Sequence, residues 1–201
     1  MSVVVERVQG AAIERYLPAL AELRIAVFRE YPYLYAGTLD YERTYLRAYA
    51  DSPASLVVLA LAEAARGGHR VVGAATAMPL ATHTEEVAPP LIAAGYDPAK
   101  VFYFGESVLD RAFRGHGLGN QFFAHREAHA RDHGFTAAAF CAVVRPADDP
   151  RRPASYQPLD RMWKRHGFVC RPEITTTFSW IDVGDDVETP KPMVFWTKEL
   201  A

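Results

Sequence analysis

The pattern of apolar and polar residues predicts seven β-strands in this chain. Each predicted strand is a run that is apolar throughout or apolar at alternate positions, bounded by glycine, proline or charged residues. VVVERV is the first run, and EAARGGH joins the second and third runs as a hairpin with a glycine turn. The predicted strands cover residues 3–8, 55–62, 70–78, 100–109, 137–144, 173–183 and 193–200.

Apolar residues that recur every three or four positions predict the helices. Asp40 is the expected N-cap of the second helix, and Gly134 follows the third, where a C-terminal glycine is common. The predicted helices cover residues 11–31, 40–50, 118–133 and 158–167, with a further short helix near residues 90–94 in a loop-rich stretch.

The order of these elements predicts a mixed sheet. The hairpin pairs the second and third strands antiparallel, whereas the helix between the fourth and fifth strands is a crossover that requires a parallel pair. A chain of 201 residues is long enough for one well-packed domain and short for two. We therefore expect a single α/β domain over residues 1–201.

Composition indicates the cellular compartment in which the protein is expected. Hydrophobic residues make up 50% of the chain, and no apolar stretch approaches the ~20 residues of a membrane span. The N-terminal residues MSVVVERVQG lack the apolar core of an export signal, and we expect Cys141 and Cys170 to be reduced, buried thiols. A cytoplasmic protein without a membrane partner is expected, and the sequence leaves monomer and homodimer open.

Charge is distributed unevenly along the chain. The net charge is only −2, yet the segment from Asp110 to Arg171 holds eleven Lys or Arg against six Asp or Glu. Such an excess suits a polyanionic ligand, and solvated surface arginines would give the same count. No run of five basic residues occurs and aromatic residues are not interleaved with basic ones, so we expect no nucleic-acid partner.

The segment VLDRAFRGHGLGNQFF, residues 108–123, sets Gly115, Gly117 and Gly119 between a strand and a helix. Glycine lets a ligand approach the backbone, and free N–H groups in a helix's first turn attract anions. A phosphate loop of the Walker type needs Lys and Ser or Thr after the last glycine, and a dinucleotide loop needs glycine at Asn120. Both fail, which leaves another phosphate site or a simple turn.

The spacing Arg114-x-x-Gly117-x-Gly119 resembles the acetyl-coenzyme A loop of the GNAT superfamily of N-acetyltransferases, and LDRMWKRHGFV resembles its last helix. The resemblance implies a mostly antiparallel seven-stranded sheet with helices on both faces, in which strands four and five are parallel and splayed. It also implies acetyl-CoA as cosubstrate and a small-molecule or amino-acid-like primary amine as acceptor. A non-catalytic module of this fold that binds or senses acyl-CoA is the alternative.

The resemblance implies a cofactor site along the fourth strand and the following loop. Main-chain N–H groups would hold the pyrophosphate and strand backbone would pair with the pantetheine arm, with Val108 as the expected carbonyl and N–H partner. Arg114 would reach a phosphate, while Arg151 and Arg152 are either ligands of the ribose phosphate or solvated loop residues. The expected cofactor-binding residues are Val108, Leu109, Asp110, Arg114, Gly115, His116, Gly117, Leu118, Gly119 and Asn120.

Acetyl transfer to an amine requires a proton acceptor and a proton donor for the leaving thiolate. Glu106 alternates with Phe102, Phe104 and Val108, so we expect it on their face of the strand, as the general base or as a structural carboxylate. Many members of the superfamily carry, in the last helix, a Tyr whose hydroxyl protonates the leaving sulfur. This chain has Trp163 at that position, which has no hydroxyl. Tyr156 is the predicted substitute donor; water or an unassisted thiolate is the alternative.

Tyrosines crowd the segment between the first two helices, which in the superfamily lines the acceptor side of the cleft. We predict that Tyr31, Tyr33 and Tyr35 contact the substrate, against the alternative that they belong to an amphipathic core. His125, His129 and His133 lack the spacing of a metal site and are expected on a solvated helix face. Cys141 is expected to be a packed thiol, and no metal is expected.

Overall fold

The seven predicted strands form one twisted sheet in the order β1-β2-β3-β4-β5-β7-β6. The computed structural model describes residues 2–65, 67–82 and 86–200. Only the β4–β5 pair is parallel among the sheet's strand pairs in this part of the chain. The predicted mixed sheet is therefore confirmed. The strands are β1 (Val3–Val8), β2 (Leu56–Glu63), β3 (His69–Pro79), β4 (Val101–Leu109), β5 (Ala137–Val143), β6 (Val169–Trp180) and β7 (Thr189–Glu199).

The predicted helices also form, with shifted ends. Residues Gly10–Tyr16 make a 3-10 helix that runs into the first α-helix. Thr38, and not Asp40, caps the second helix: its hydroxyl accepts a hydrogen bond from the N–H of Tyr41 at 3.4 Å. The α-helices are α1 (Leu17–Phe28), α2 (Leu39–Asp51), α3 (Ala88–Ala93), α4 (Leu118–Asp132) and α5 (Asp160–Arg165).

Helices cover both faces of the sheet, as expected. On one face, Leu20 of α1 and Leu46 of α2 pack against β2, β3 and the end of β4. On the other, Phe122 and Phe123 of α4 pack against the aromatic residues of β4. No helix in the described ranges is both long and apolar enough to cross a bilayer.

The β4–β5 pair opens partway along its length. These strands pair over three positions, from Val101 opposite Ala137 to Tyr103 opposite Ala139. Beyond Tyr103, β4 continues to Leu109 without a β5 partner, while β5 stays paired with β7 as far as Val143. The predicted splay is confirmed, and it leaves a gap in the sheet beside one edge of β4.

Candidate functional site

The loop between β4 and α4 presents free backbone N–H groups beside this gap. Gly115 and Gly117 have left-handed backbone conformations, with φ of 82° and 79°, which a side chain would strain. Gly117 is the N-cap of α4, and its carbonyl accepts hydrogen bonds from the N–H groups of Asn120 and Gln121. No described residue accepts a hydrogen bond from the backbone N–H groups of residues 115–119. At a helix N-terminus, such donors form an anion site.

Side-chain hydrogen bonds within and next to this loop hold its backbone in place. The carboxylate of Asp110 accepts a hydrogen bond from the N–H of Ala112 and caps a short 3-10 helix, Arg111–Phe113. His116 folds its Nδ1 back to within 2.9 Å of the carbonyl oxygen of Arg114. Asn120 Oδ1 lies 3.0 Å from His166 Nε2, after α5, and Leu118 is buried. The N–H groups, and not these side chains, are thus the part of the loop that is available to a ligand.

The arginines expected at phosphate have protein partners instead. Arg114 makes a two-pronged ion pair with Glu30, with N–O distances of 2.8 and 3.0 Å. Arg151 donates hydrogen bonds to the carboxylates of Asp149 and Asp182. The guanidinium of Arg152 lies over the ring of Tyr156. Arg114 therefore links the glycine loop to the end of α1 in this conformation.

The register of β4 distinguishes Val108 from Leu109. The N–H of Asp110 donates to the carbonyl of Val72 at 2.8 Å, and successive residues of an antiparallel strand turn their polar groups to opposite neighbours. Val108, opposite Ala74, therefore directs its N–H and carbonyl at β3. The prediction that Val108 offers these groups to a ligand in the gap does not fit this register, whereas Leu109 does.

A β-bulge places Glu106 on a different face from the one expected. Phe104 lies opposite Ala77 and Ser107 opposite Ala75, so Gly105 and Glu106 together face the single residue between them on β3. Phe102 and Phe104 pack on the α4 face, whereas Glu106 turns toward α1 and α2. Glu106 therefore shares a face with Val108, as predicted, but not with Phe102 and Phe104, because the inserted residue reverses the alternation after Phe104. Gly105 permits the bulge: a Cβ there would lie 2.2 Å from the Tyr49 hydroxyl.

Two charged residues from the first two α-helices lie close to Glu106, and one of them, Arg24, is absent from the sequence predictions. Arg24 of α1 places Nη1 2.5 Å from Glu106 Oε1, and its Nε donates a hydrogen bond to Glu42 of α2. All three side chains are at most 8% exposed. A signal was present in the sequence, because Arg24 and Glu42 each interrupt the apolar stripe of an amphipathic helix. Charged residues at such positions are seldom fully buried unless they are paired.

Hydroxyl groups complete the surroundings of Glu106. Tyr45 donates a hydrogen bond to Glu106 Oε2 at 3.1 Å, and the Thr76 hydroxyl accepts one from the Glu106 N–H. Burial, together with the negative charge of Glu106, raises the pKa of Tyr45 well above its ordinary value. Tyr45 therefore remains a neutral hydrogen-bond donor at physiological pH.

The predicted substrate tyrosines follow α1, half-buried. Tyr31 meets the predicted proton donor Tyr156 ring to edge, with centroids 4.7 Å apart. Tyr33 packs between Phe28 and Trp180. Burial, and then the proximity of Cys141 and Glu106, raise the pKa of the Tyr33 hydroxyl.

Tyr35 is tied to the segment that follows β6. It forms an isolated bridge with Asp182, which follows β6, and its ring folds over Gly37. Tyr31 and Tyr156 thus come together, Tyr33 lies within electrostatic range of Glu106, and Tyr35 belongs to the anchor of this segment. Their contact with a substrate stays a prediction.

A buried ionic cluster anchors the same segment. The Asp182 carboxylate accepts hydrogen bonds from Arg145 and Arg151, each as short as 2.8 Å, and lies 3.4 Å from the ammonium of Lys191. Arg145 also donates hydrogen bonds to the carbonyl groups of Pro32 and Tyr33. We call Arg145, Arg151, Asp182 and Lys191 the Asp182 cluster. It ties the tyrosine segment after α1 to β7 and to the residues that follow β6.

Trp163 has an apolar environment. Its ring contacts Phe140 and Trp196, with centroid distances of 5.1 and 5.0 Å. The indole is half-buried, packs against the core and offers no hydroxyl. The identity of the proton donor therefore stays a prediction.

The remaining polar candidates are structural. Cys141 is a buried thiol, as predicted, 3.1 Å from the Tyr103 hydroxyl, and burial raises its pKa to about 12. The expected solvated histidine face is wrong for His129, which is buried and stacks on His133, and burial lowers its pKa to about 4. Within residues 2–65, 67–82 and 86–200, no cluster of three or more His, Cys, Asp or Glu is arranged to hold a metal ion.

Comparison with known proteins identifies the class to which this fold and loop belong. The model of the acetyltransferase (GNAT) family matches residues 19–168, which include most of α1, the bulged strand β4 and the glycine loop. This chain belongs to the GNAT acetyltransferase family. No curated protein sequence matches it significantly.

Solved structures have the same fold at low sequence identity. An N-acetyltransferase from Staphylococcus aureus Mu50 matches with a TM-score of 0.61 and 14% identity over 100% of both chains. A ribosomal-protein-alanine N-acetyltransferase from Brucella melitensis matches with a TM-score of 0.61 and 16% identity over 98% of this chain and 99% of the other. The yncA structure from Salmonella typhimurium, which contains its cofactor acetyl-CoA, matches with a TM-score of 0.59 and 11% identity over 100% and 95%.

Proposed function

We propose that this protein transfers an acetyl group from acetyl-CoA to a primary amine of a small-molecule or amino-acid-like acceptor, by direct attack in a ternary complex. One observation carries the proposal: the free N–H groups of residues 115–119 lie beside the gap between β4 and β5. Family membership and the acetyl-CoA in the yncA structure support this choice of donor.

The residues present fit acetyl-CoA. The N–H groups before α4 suit a diphosphate, because they are unpaired and lie at the positive end of a helix. Leu109 offers its N–H and carbonyl to an extended, amide-containing arm, in the manner of an added strand. The Leu109 carbonyl now accepts a hydrogen bond from Arg114 Nε at 3.0 Å, and its second lone pair remains available.

Glu106 is the proposed proton acceptor. When bound, acetyl-CoA supplies the acetyl group as a thioester. The acceptor nitrogen forms a bond to the acetyl carbon while the bond from that carbon to sulfur breaks, and the sulfur takes up the electron pair. Glu106 receives the proton lost by the nitrogen, directly or through water, while Arg24 and Tyr45 hold its carboxylate.

The acceptor side favours an amine attached to an apolar or aromatic body. Half-buried aromatic rings line this side of the proposed site, from Tyr31, Tyr33 and Tyr156. Glu106, in the β4 bulge, supplies a carboxylate. We propose tyramine and L-phenylalanine amide as test acceptors, with ethanolamine as a small non-aromatic comparison. A faster release of thiol with the aromatic amines is the expected result.

Trp163 favours one second candidate, a module that binds acyl-CoA without turnover. It replaces the hydroxyl that would protonate the leaving sulfur with an indole packed against the core. Steady-state release of free thiol from acetyl-CoA distinguishes the two functions. An enzyme releases thiol in proportion to added amine, whereas a sensor binds coenzyme A and releases none.

The cofactor site itself is tested by matched glycine variants at the two ends of α4. Gly117→Val should weaken acetyl-CoA binding at least about tenfold, because the side chain would block approach of phosphate to the backbone. Gly134→Val is the control: its φ of 76° resembles the 79° of Gly117, so both variants carry similar backbone strain. Calorimetric titration of each folded variant gives the affinities. Equal affinities would contradict the proposed site.

A further inference from the structure

One guanidinium lies between two buried carboxylates in this protein. Arg24 reaches Glu42 through Nε and Glu106 through Nη1, and the side chains of Arg24, Glu42 and Glu106 are 8%, 0% and 6% exposed. Water screens such buried charges weakly, so each of them strongly affects the others. One cation thus serves two anions away from solvent.

The other ionisable groups around Glu106 keep a constant charge near neutral pH. Tyr45 and Tyr49 of α2 and Tyr33 after α1 are neutral, because burial raises the pKa of each hydroxyl and the charge of Glu106 raises it further. From α4, Arg126 donates a hydrogen bond to the Glu106 carbonyl at 3.3 Å.

Burial lowers the pKa of Arg126 to about 9, so its guanidinium remains a cation at pH 7. The neighbouring strand β3 contributes Thr76, which does not ionise. Glu42 and Glu106 are therefore the two carboxylates of this set, and Arg24 is the cation in contact with both.

We propose that Arg24 and Glu42 are positioning residues for Glu106: Glu42 shares the charge of Arg24 and thereby sets the pH at which Glu106 accepts a proton. This inference rests on the proposed function, in which Glu106 is the base. Without Glu42, Arg24 would favour the ionised form of Glu106 more strongly and weaken it as a base. Without Arg24, two buried carboxylates would repel each other, and Glu106 would hold a proton at higher pH.

Glu42 and Arg24 shift the protonation of Glu106 in opposite directions, and this difference gives a direct test. Glu42→Gln should move the acidic limb of the kcat/KM–pH profile for thiol release about one pH unit lower, and Arg24→Gln should move it about one unit higher. Glu127→Gln on α4 is the matched control, because Glu127 is buried and paired with Lys198 but has no contact with Arg24 or Glu106 among the described interactions. Its profile should match that of the wild type.

A second measurement does not require activity. In protein with 13C-labelled glutamate carboxyl groups, the Glu106 signal is identified by its loss in Glu106→Gln and followed by NMR as a function of pH. Glu42→Gln, which removes a buried charge and leaves the ion pair of Arg24 with Glu106, is the variant to titrate if Arg24→Gln does not fold. Its Glu106 signal should titrate about one pH unit below that of the wild type.

The outcomes separate this inference from the proposed function. Opposite shifts in the two variants, or the expected NMR shift in Glu42→Gln alone, support the inference. A Glu106 titration that is unchanged in Glu42→Gln overturns it, whatever the activity. Absence of thiol release from the wild type overturns the proposed function, and the NMR titration still decides whether Arg24 and Glu42 control the protonation of Glu106.

Discussion

Among the residues that the structure describes, two ionic clusters built around buried carboxylates have opposite balances of charge. In the Asp182 cluster, Arg145, Arg151 and Lys191 surround one carboxylate, and Arg151 also binds Asp149. In the Glu106 cluster, defined as Arg24, Glu42, Tyr45 and Glu106, one guanidinium serves two carboxylates. The first has cations in excess of its central carboxylate, and the second has carboxylates in excess of its cation.

We propose that this difference separates a structural role for Asp182 from a chemical role for Glu106. Asp182 receives hydrogen bonds on both oxygens and joins the tyrosine segment after α1 to the end of β6, where a change of protonation would loosen the anchor. Glu106 lies on the bulge beside the gap in the sheet, with a cation that it must share. A fully paired carboxylate is a poor proton acceptor, and a partly neutralised one is better suited to accept a proton.

The largest expected effect is on stability at the Asp182 cluster. Asp182→Asn leaves Arg145 and Lys191, both at most 8% exposed, without their charge partner. Removing one partner of a buried ion pair costs about 3–5 kcal/mol of unfolding free energy. Denaturation by urea measures this loss against Asp185→Asn, an exposed carboxylate three residues along the same loop. Equal stabilities of the two variants would contradict the structural role.

The second effect concerns activity at the Glu106 cluster. Glu106→Gln keeps the side-chain shape and leaves Arg24 paired with Glu42, so the free energy of unfolding should fall by no more than about 1.5 kcal/mol. Thiol release should fall about 100-fold or more, since general base catalysis contributes that much. Steady-state rates of thiol release, measured for the wild type, Glu106→Gln and the control Glu127→Gln, test this prediction. A rate within about threefold of the wild-type value would remove Glu106 from the mechanism.

The smallest effect is a dependence of stability on acid. Burial alone would raise the pKa of Asp182, but hydrogen bonds from Arg145 and Arg151 outweigh it and lower the pKa below its ordinary value. Asp182 therefore binds a proton more readily in the unfolded chain, and its stabilising contribution is complete above about pH 4 and is lost as pH falls below that value.

Urea denaturation of the wild type and Asp182→Asn from pH 6 to pH 2 measures this contribution. The gap between their unfolding free energies should narrow with acid, at no more than about 1.4 kcal/mol per pH unit. A constant gap would show that the ion pairs of Asp182 do not depend on its charge.

Local sequence patterns predicted most of the fold. Apolar runs located all seven strands, and Gly115, Gly117 and Gly119 located the loop before α4, because strand, helix and turn preferences act over a few residues. The face of Glu106 escaped prediction because a one-residue bulge at Gly105 reverses every later position of β4. The glycine within an apolar strand was the available sign of that bulge.

Contacts between distant segments account for the other differences. Arg24 meets Glu42 and Glu106 from 18 and 82 positions away, and Arg114 meets Glu30 across 84 positions, so no local pattern specifies these pairs. No local pattern specifies the burial of His129 either, because it depends on how α4 packs against the sheet. The position of Arg24 within the apolar stripe of α1 was the available sign that its charge is buried.

The central claim is that the free N–H groups before α4 hold the diphosphate of acetyl-CoA beside the open edge of β4. It is tested most directly by NMR of protein labelled with 15N-glycine, recorded with and without acetyl-CoA. The account predicts large changes in the amide signals of Gly115, Gly117 and Gly119, with Gly134 at the other end of the helix unchanged. Unchanged signals from the three loop glycines at saturating acetyl-CoA would contradict it.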